Sequence, residues 1–189
     1  VAAPYEPVDV DTDQIIPARF LKFSRQDGYG KFLFHDLREK PGFVLDRAPF
    51  DRAKILVANA NFGCGSSREH AVWALQNYGF KVVLSSRFAD IFRGNSQKMG
   101  LLTVILTQDE IEKIWQRVES KPDTQFTVDL AAKTVTYEAN TLSFAIDDYT
   151  RWRLMEGLDD IGLTFTKIDQ VTKFEEKRAS FKPKTLPIR

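Results

Sequence analysis

The chain has 189 residues, and a 43% hydrophobic content that includes 15 Phe and 3 Trp is enough to bury one globular core. Lys and Arg (27) nearly balance Asp and Glu (26), and this net charge of +1 argues against a dedicated nucleic-acid-binding protein. No apolar run approaches the ~20 residues needed to span a bilayer, so a membrane protein is not expected.

Cysteine and histidine are scarce in this chain, with Cys64, His35 and His70 as the full set. One cysteine cannot form an internal disulfide, and alone it cannot hold zinc or an iron–sulfur cluster. Residues 1–10 carry neither a basic stretch nor an apolar core, so they do not predict a secretory signal. We therefore expect a cytoplasmic protein that holds no metal through its own side chains.

The N-terminal part of the chain predicts mostly irregular structure. Residues 8–10 indicate a short extended piece, and the acidic turn Asp9–Asp13 resembles the start of an EF-hand calcium loop. A calcium site is excluded because Gln14 stands where that loop needs Gly, and Phe20 where it needs Glu. Residues 24–50, rich in Gly, Asp, Arg and Phe without a clean period, predict a long loop with short helical turns.

The centre of the chain predicts a βαβ unit. The bounded apolar run within residues 53–60 favours a buried strand, and residues 68–78 carry apolar side chains at helical spacing. Gly79 then stands where a helix ends, and residues 81–85 form a second apolar run. Two such strands joined by a helix are expected to lie parallel with a right-handed crossover.

The rest of the chain predicts further α/β structure with an added hairpin, and no domain boundary within residues 1–166. The predicted elements are a short helix at 88–92, a turn at Gly94-Asn95, a strand at 101–106, a helix from the capping box at Thr107 to Glu119, hairpin strands at 126–130 and 134–138, a third strand at 142–146, a helix capped by Asp147 and ending near Glu156, and an exposed helix with a frayed end from Lys167.

Segment 63–70 (GCGSSREH) is the part of the sequence that most clearly predicts chemistry. Gly63 and Gly65 allow a tight turn and a close approach to a ligand, and the segment runs into a helix N-terminus, which favours an anion. Two hydroxyls and the two-pronged donor Arg68 stand at the same point. The segment lacks the third Gly of a dinucleotide fingerprint, the closing Gly of a nucleophile elbow and the Gly-Lys pair of a P-loop.

Structural explanations compete with the functional one at several of these positions. Ser66 with Glu69 three residues later fits a helix capping box, which needs no ligand. His70, one turn into the helix, is more typical of a packed or exposed side chain than of a base. Cys64 near a helix N-terminus could be a reactive thiol, although a free cysteine more often behaves as a small buried apolar residue.

Two acidic residues upstream of this segment also have both a structural and a functional explanation. Asp11 and Asp13 fit carboxylates that form a turn, and either could instead orient a basic residue at the site.

Four stretches of this sequence resemble the small-subunit family of 3-isopropylmalate dehydratase, which corresponds to the swivel domain of the aconitase superfamily. They are Asn61–Ala71 (NFGCGSSREHA), Asp11–Leu21 (DTDQIIPARFL), Phe88–Ser96 (FADIFRGNS) and Gly157–Thr164 (GLDDIGLT). Together with their flanks they extend over residues 8–166.

The resemblance implies a β/β/α swivelling fold over residues 1–189, with about 167–189 as a C-terminal extension. It also implies exchange of 2-isopropylmalate and 3-isopropylmalate through 2-isopropylmaleate in leucine biosynthesis, with a small dicarboxylate as substrate. The [4Fe–4S] cluster would belong to a separate large subunit, as the partner in a heterodimer, which matches the single cysteine here. Ser66 would take the proton beside a carboxylate, Arg68 would hold a substrate carboxylate, and Ser67 with neighbouring N–H groups such as that of Gly65 would help to bind it.

Residues 22–34 lie where relatives with other substrates differ from one another. We expect Lys22 and Arg25 to meet the substrate there, and Phe32 or Leu33 to contact its isopropyl group. Arg93 departs from the family, which commonly has an aromatic residue or Asn near this position, and we expect it to face solvent.

Two other functions compete with this one. The same loop chemistry would serve the small subunit of a dehydratase acting on homoaconitate, citraconate or aconitate. Alternatively, the helix N-terminus could bind an anion in a non-catalytic domain. A large chain with three cluster cysteines, encoded beside this one, would favour an enzyme over a binding domain.

Overall fold

A computed structural model describes residues 1–179, 181 and 182. Its central element is a four-stranded parallel sheet in which the strands lie side by side in chain order. The strands are β1 (Ala2–Tyr5), β2 (Ile55–Ala58), β3 (Val82–Ser85) and β4 (Leu102–Ile105). β1 to β3 are buried along their whole length, and so is β4 apart from Ile105, which explains why the strands appear in the sequence as continuous apolar runs.

The N-terminal edge of the sheet differs from the prediction. The predicted extended piece at 8–10 is a bend with Asp9 at φ 54°, and the strand lies earlier, at Ala2–Tyr5. Pro4 argues against a strand in the sequence, but β1 is an edge strand that pairs only with β2, where a missing N–H is tolerated.

Helices connect the strands and extend beyond the sheet. They are α1 (Thr12–Ile15), α2 (His35–Arg38), α3 (Glu69–Tyr78), α4 (Asp90–Lys98), α5 (Gln108–Ser120), α6 (Asp148–Glu156), α7 (Asp160–Phe165) and α8 (Ile168–Glu176). Five short 3₁₀ turns occupy much of residues 18–52, which agrees with the predicted loop with helical turns. None of the described helices is long and apolar enough to span a membrane.

Helix α4 is longer than the sequence predicts. The turn predicted at Gly94-Asn95 is wrong, because the helix runs through both residues to Lys98. Gly and Asn are weak helix formers, yet Phe92 and Ser96 on this helix are buried against the core. Tertiary packing therefore overrides the local propensity.

A second sheet of three antiparallel strands follows α5. Its strands are β5 (Phe126–Asp129), β6 (Thr134–Tyr137) and β7 (Asn140–Ser143), so the predicted hairpin is confirmed and the third strand starts two residues early. Val135 and Tyr137 of β6 join the same buried cluster as the parallel sheet.

Helix α5 packs on one face of the parallel sheet. Its capping box is present as predicted. The Thr107 side chain accepts a hydrogen bond from the backbone N–H of Glu110, and the Glu110 carboxylate accepts one from the backbone N–H of Thr107. The helix packs on β1, β2 and β3 through a buried stripe, and Trp115 Nε1 donates to the Val57 carbonyl at 2.9 Å.

The C-terminal helices are far less buried than the rest. Asp147 caps α6 as predicted, and Thr150 is its one buried residue. α7 and α8 have no buried residue at all, which agrees with the predicted exposed helix from Lys167. The frayed end predicted at residues 182–184 lies largely outside the described residues.

Gly63 is the point where the loop after β2 touches α4, and this contact generates a prediction. A Cβ added at Gly63 would lie 2.2 Å from Phe92 Cγ, and the φ of +80° itself disfavours a side chain. Gly100 has the same conformation (φ +79°) with nothing within 4 Å of an added Cβ. Gly63→Ala therefore adds an overpacking cost of about 1–3 kcal/mol to the backbone strain of about 1–2 kcal/mol that both substitutions carry.

Urea unfolding of Gly63→Ala and Gly100→Ala tests this expectation. We expect Gly63→Ala to be the less stable by at least about 1 kcal/mol. Equal losses in the two variants would show that α4 does not hold the loop in this way.

Candidate functional site

The loop between β2 and α3 is fastened to the N-terminal segment 10–13. The N–H groups of Gly63 and Cys64 both donate to the carbonyl of Val10, at 2.7 and 3.2 Å. In return, the N–H of Thr12 donates to the carbonyl of Cys64 at 3.0 Å. The loop thus continues the pairing of the parallel sheet for one bridge beyond its strands.

Thr12 reaches the serine pair directly. Its side chain is buried, and Oγ1 donates to the backbone carbonyl of Ser66 at 2.9 Å. The side chains of Ser66 and Ser67 are exposed, and Asn95 Nδ2 on α4 lies within 3.4 Å of Ser67 Oγ. Sequence reasoning missed Thr12 and Asn95 as contacts of the site, although both lie in the stretches that resemble the family.

Arg68 and Asp13 form a two-pronged ion pair beside the serines. Both Nη atoms of Arg68 donate to the Asp13 carboxylate, the Nη2–Oδ2 bond at 2.8 Å, and the Ala18 N–H donates to the same carboxylate. The hydrogen bond from Arg68 lowers the pKa of Asp13 below its ordinary value, so the carboxylate is ionised at neutral pH. The pair uses two of the five guanidinium N–H donors and fixes the plane of the group.

The capping box that is the structural alternative for Ser66 and Glu69 is not formed. α3 begins at Glu69 with Arg68 at the N-cap position, and no side chain caps it. Ser66 stands two residues before the cap, because the bond from Thr12 holds its backbone elsewhere. The Ser66 hydroxyl is thus not used by the helix, and it lies near the positive end of α3.

Neither Cys64 nor His70 has the features of a reactive group. Burial, and then the charges of Asp11 and Asp9, raise the pKa of the Cys64 thiol, which disfavours a thiolate. Burial lowers the pKa of His70, whose ring packs 4.6 Å from Trp73 and 5.2 Å edge-on to Tyr29. The structure therefore favours the structural explanation for both.

The two remaining acidic candidates, Asp11 and Glu69, lie at the starts of two different helices. Asp11 caps α1, where its side chain accepts from the Gln14 N–H at 2.7 Å. Glu69 is exposed at the first position of α3, next to the Arg68 backbone.

Of the candidate residues in the loop at 22–34, Arg25 is the one that shares a cavity with a residue of the 63–70 segment. Arg25 lies over the Trp73 ring at 4.8 Å and lines a cavity together with Glu69. Lys22 is exposed, and no hydrogen bond or ion pair of its side chain is found among the described residues. Phe32 and Leu33, which we expect to contact the isopropyl group of the substrate, are both buried, and Phe32 stacks on Phe20 at 4.3 Å.

Arg93 also departs from its prediction. It does not simply face solvent, because its Nε is buried without a hydrogen-bond partner among the described residues. The hydrogen bonds from Thr150 lower the pKa of Asp147, the cap of α6, and the charge of Arg93 adds a smaller lowering.

The residues present do not fit an iron–sulfur cluster. Such a cluster is held by several cysteine thiolates, and this chain has one cysteine whose pKa is raised. Among the described residues, one group of potential ligands comes together, at His35, Asp36 and Glu39, and Arg19 already pairs with Asp36. A cluster needed for the chemistry would have to come from another chain.

Comparisons with known proteins decide the family. The chain is 56% identical to the 3-isopropylmalate dehydratase small subunit of Corynebacterium jeikeium, covering 99% of this chain and 94% of that protein. It is 53% identical to the protein of the same name from Leifsonia xyli, over 100% of this chain and 95% of that one. The chain belongs to the family of 3-isopropylmalate dehydratase small subunits.

Family models and a solved structure agree with this assignment. Residues 1–109 match the aconitase C-terminal domain, residues 112–148 match LeuD_N, and residues 160–188 match the C-terminal domain of the 3-isopropylmalate dehydratase small subunit. The crystal structure of 3-isopropylmalate dehydratase (leuD) from Methanocaldococcus jannaschii superposes with a TM-score of 0.70 at 29% identity, covering 91% of this chain and 96% of that one. The predicted family and the α/β fold of this family are confirmed.

The geometry of Ser66 generates a stability prediction. Because Ser66 caps nothing, we expect Ser66→Ala to leave the free energy of unfolding within about 0.5 kcal/mol of wild type. Asp147 does cap a helix and accepts from the Thr150 N–H at 2.8 Å, so Asp147→Ala should lose about 0.5–2 kcal/mol. Urea unfolding of both variants measures this, and a loss at Ser66 as large as at Asp147 would restore the capping role.

Proposed function

We propose that this chain is the small subunit of a two-subunit hydro-lyase that interconverts 2-isopropylmalate and 3-isopropylmalate through 2-isopropylmaleate. One observation carries the proposal: the exposed Ser66 hydroxyl beside the Arg68–Asp13 pair stands in a chain that is more than half identical to curated small subunits of that dehydratase. The reaction belongs to leucine biosynthesis.

In this proposal Ser66 takes the proton from the substrate carbon beside a carboxylate. That proton is reluctant to leave because its loss places a further negative charge beside a carboxylate on a substrate that is already a dicarboxylate. A serine hydroxyl is by itself a poor base. The nearby guanidinium and the positive end of α3 favour the alkoxide form of Ser66, since both stabilise negative charge at that point. The bond from Thr12 to the Ser66 carbonyl holds the residue in place.

Arg68 binds a substrate carboxylate in this proposal, although not with all of its donors. Two N–H groups are engaged by Asp13, so the substrate would meet the remaining three. Asp13 therefore acts as the orienting residue, since it sets the plane in which Arg68 presents those donors. The Ser67 hydroxyl and the N–H of Gly65 add weaker donors to the same carboxylate, and Arg25 stands at the rim.

A large subunit supplies what this chain lacks. We place the [4Fe–4S] cluster and the departure of the substrate hydroxyl on that partner, in a heterodimer, because the side chains here do not fit a cluster. We further propose that the pair works in the cytoplasm, and that residues 1–189 form one swivel-type unit with 167–189 as an extension. The single buried cluster shared by the two sheets supports one unit.

Reconstitution with the cognate large subunit tests the proposal. The anaerobic pair should interconvert the two isopropylmalates, and this chain alone should show no turnover. Faster turnover of homoaconitate, citraconate or aconitate in the same panel would show that one of these, and not isopropylmalate, is the substrate. Robust turnover by the isolated chain would overturn the proposal that two subunits are needed.

Two substitutions assayed in that pair test the residue roles. We expect Ser66→Ala to lose nearly all turnover. We expect Arg68→Lys to lower kcat/KM by a factor that corresponds to about 2–4 kcal/mol of transition-state stabilisation, because a point charge cannot replace a positioned planar donor. Arg19→Lys is the matched control: Arg19 also makes a two-pronged pair with an aspartate, Asp36, away from the loop. Unchanged kinetics for Ser66→Ala would exclude it as the base, and equal effects at Arg19 and Arg68 would remove Arg68 from the substrate site.

A further inference from the structure

The C-terminal helices carry an apolar surface that nothing in the described structure covers. Among the described residues, eight of the twelve exposed large hydrophobic side chains lie between Tyr149 and Phe181. On α7 the exposed Ile161 and Phe165 are four residues apart. On α8 the exposed Ile168 and Phe174 are six residues apart with the half-buried Val171 midway, so each set lies on one side of its helix. We call this surface the apolar C-terminal face, and it consists of Ile161, Phe165, Ile168, Val171 and Phe174.

The exposure of this face is unusual for helices of this length. Ile161, Phe165 and Phe174 are 64%, 62% and 68% exposed, and neither α7 nor α8 buries a single residue. An isolated helix of nine residues is only marginally stable in water, and helices are normally held by packing of an apolar side. The face therefore indicates a surface that another molecule covers.

The apolar C-terminal face adjoins the candidate site. Ile161 lines a cavity together with Glu69, the residue that follows Arg68 at the start of α3. Arg25 and Leu158 line the same cavity, so α7 meets the edge of the site without an intervening element. A molecule that covers the Ser66 loop can extend directly onto Ile161.

The relatives indicate that the covering molecule is a separate chain. The relatives, of whose length this chain spans 94–95%, are named as the small subunit of a dehydratase, a name that implies a larger partner chain. The aconitase C-terminal domain matches residues 1–109, and by its description that domain is one part of a longer protein. The face lies in the segment matched by a model specific to the small subunits, at 160–188. A domain that is separate rather than joined to the rest of the enzyme needs a non-covalent means of attachment.

We propose that the apolar C-terminal face docks onto the large subunit and holds it against the Ser66 loop. This inference rests on the proposed function, because it takes the partner from it. A second copy of this chain would be the other occupant, but it would bury the edge of the site without supplying what the chemistry lacks. The large subunit has to approach that same edge to complete the site.

Binding of the full-length chain to the cognate large subunit, measured by calorimetry, tests the proposal. We expect Phe174→Glu to raise the Kd by about 10- to 100-fold, the loss typical of removing an aromatic anchor from an interface. Lys173→Gln is the control, since it changes the net charge by the same amount on the polar side of the same helix. Phe174→Ser should also weaken binding, which excludes the new charge as the cause. Light scattering of each isolated variant reports self-association.

The outcomes separate this inference from the proposed function. Weakened binding by both Phe174 variants, with wild-type turnover recovered at saturating concentration, supports docking. Unchanged Kd for both variants overturns it and leaves the proposed function intact. Loss of self-association with unchanged affinity for the large subunit overturns it in favour of a second copy. A wild-type chain that does not bind the large subunit overturns both, whereas tight, Phe174-dependent binding without turnover overturns the proposed function alone.

Discussion

The pairing of segment 10–13 with the loop after β2 is the interaction on which the site depends. Two N–H groups of the loop share the Val10 carbonyl, and Thr12 returns one bond from its backbone and one from its side chain. A glycine-containing loop is otherwise conformationally free. These bonds, and the contact of Gly63 with Phe92, place Ser66 and Ser67 outward while the backbone beneath them stays fixed.

That arrangement explains how a chain with one cysteine contributes to a dehydratase. Arg68 pairs with Asp13 at the start of α3, two residues after Ser66, whose hydroxyl the helix does not use. In the proposed function the chain supplies the proton acceptor and the carboxylate-binding group, and the cavity beside Glu69 continues to Ile161 of the apolar C-terminal face. An open, incomplete site beside an exposed apolar surface is the geometry expected of a subunit that works only when a partner closes it.

Local signals explain which parts of the structure could be predicted from the sequence. The apolar runs of β2 and β3, Gly79 and the Thr107 box each specify an element within a few residues, and those predictions are confirmed. Predictions failed where distant contacts overrule local ones. Ser66 fits a cap by its spacing to Glu69, but Thr12, 54 residues away, fixes its backbone elsewhere. β1 and the second half of α4 likewise depend on packing that a sequence window cannot show.

The central claim is that Thr12 holds Ser66 in its working position, and the ratio of kcat/KM for Thr12→Val and Thr12→Ser in the reconstituted pair tests it most directly. Valine keeps the volume and loses the donor to the Ser66 carbonyl, whereas serine keeps the donor. We expect Thr12→Val to lose on the order of a hundredfold in kcat/KM, mainly in kcat, because a shift of ~1 Å at a catalytic group has that effect. Thr12→Ser should stay within a few-fold of wild type, and both should bind the large subunit normally. Equal kcat/KM values for the two variants would contradict the account.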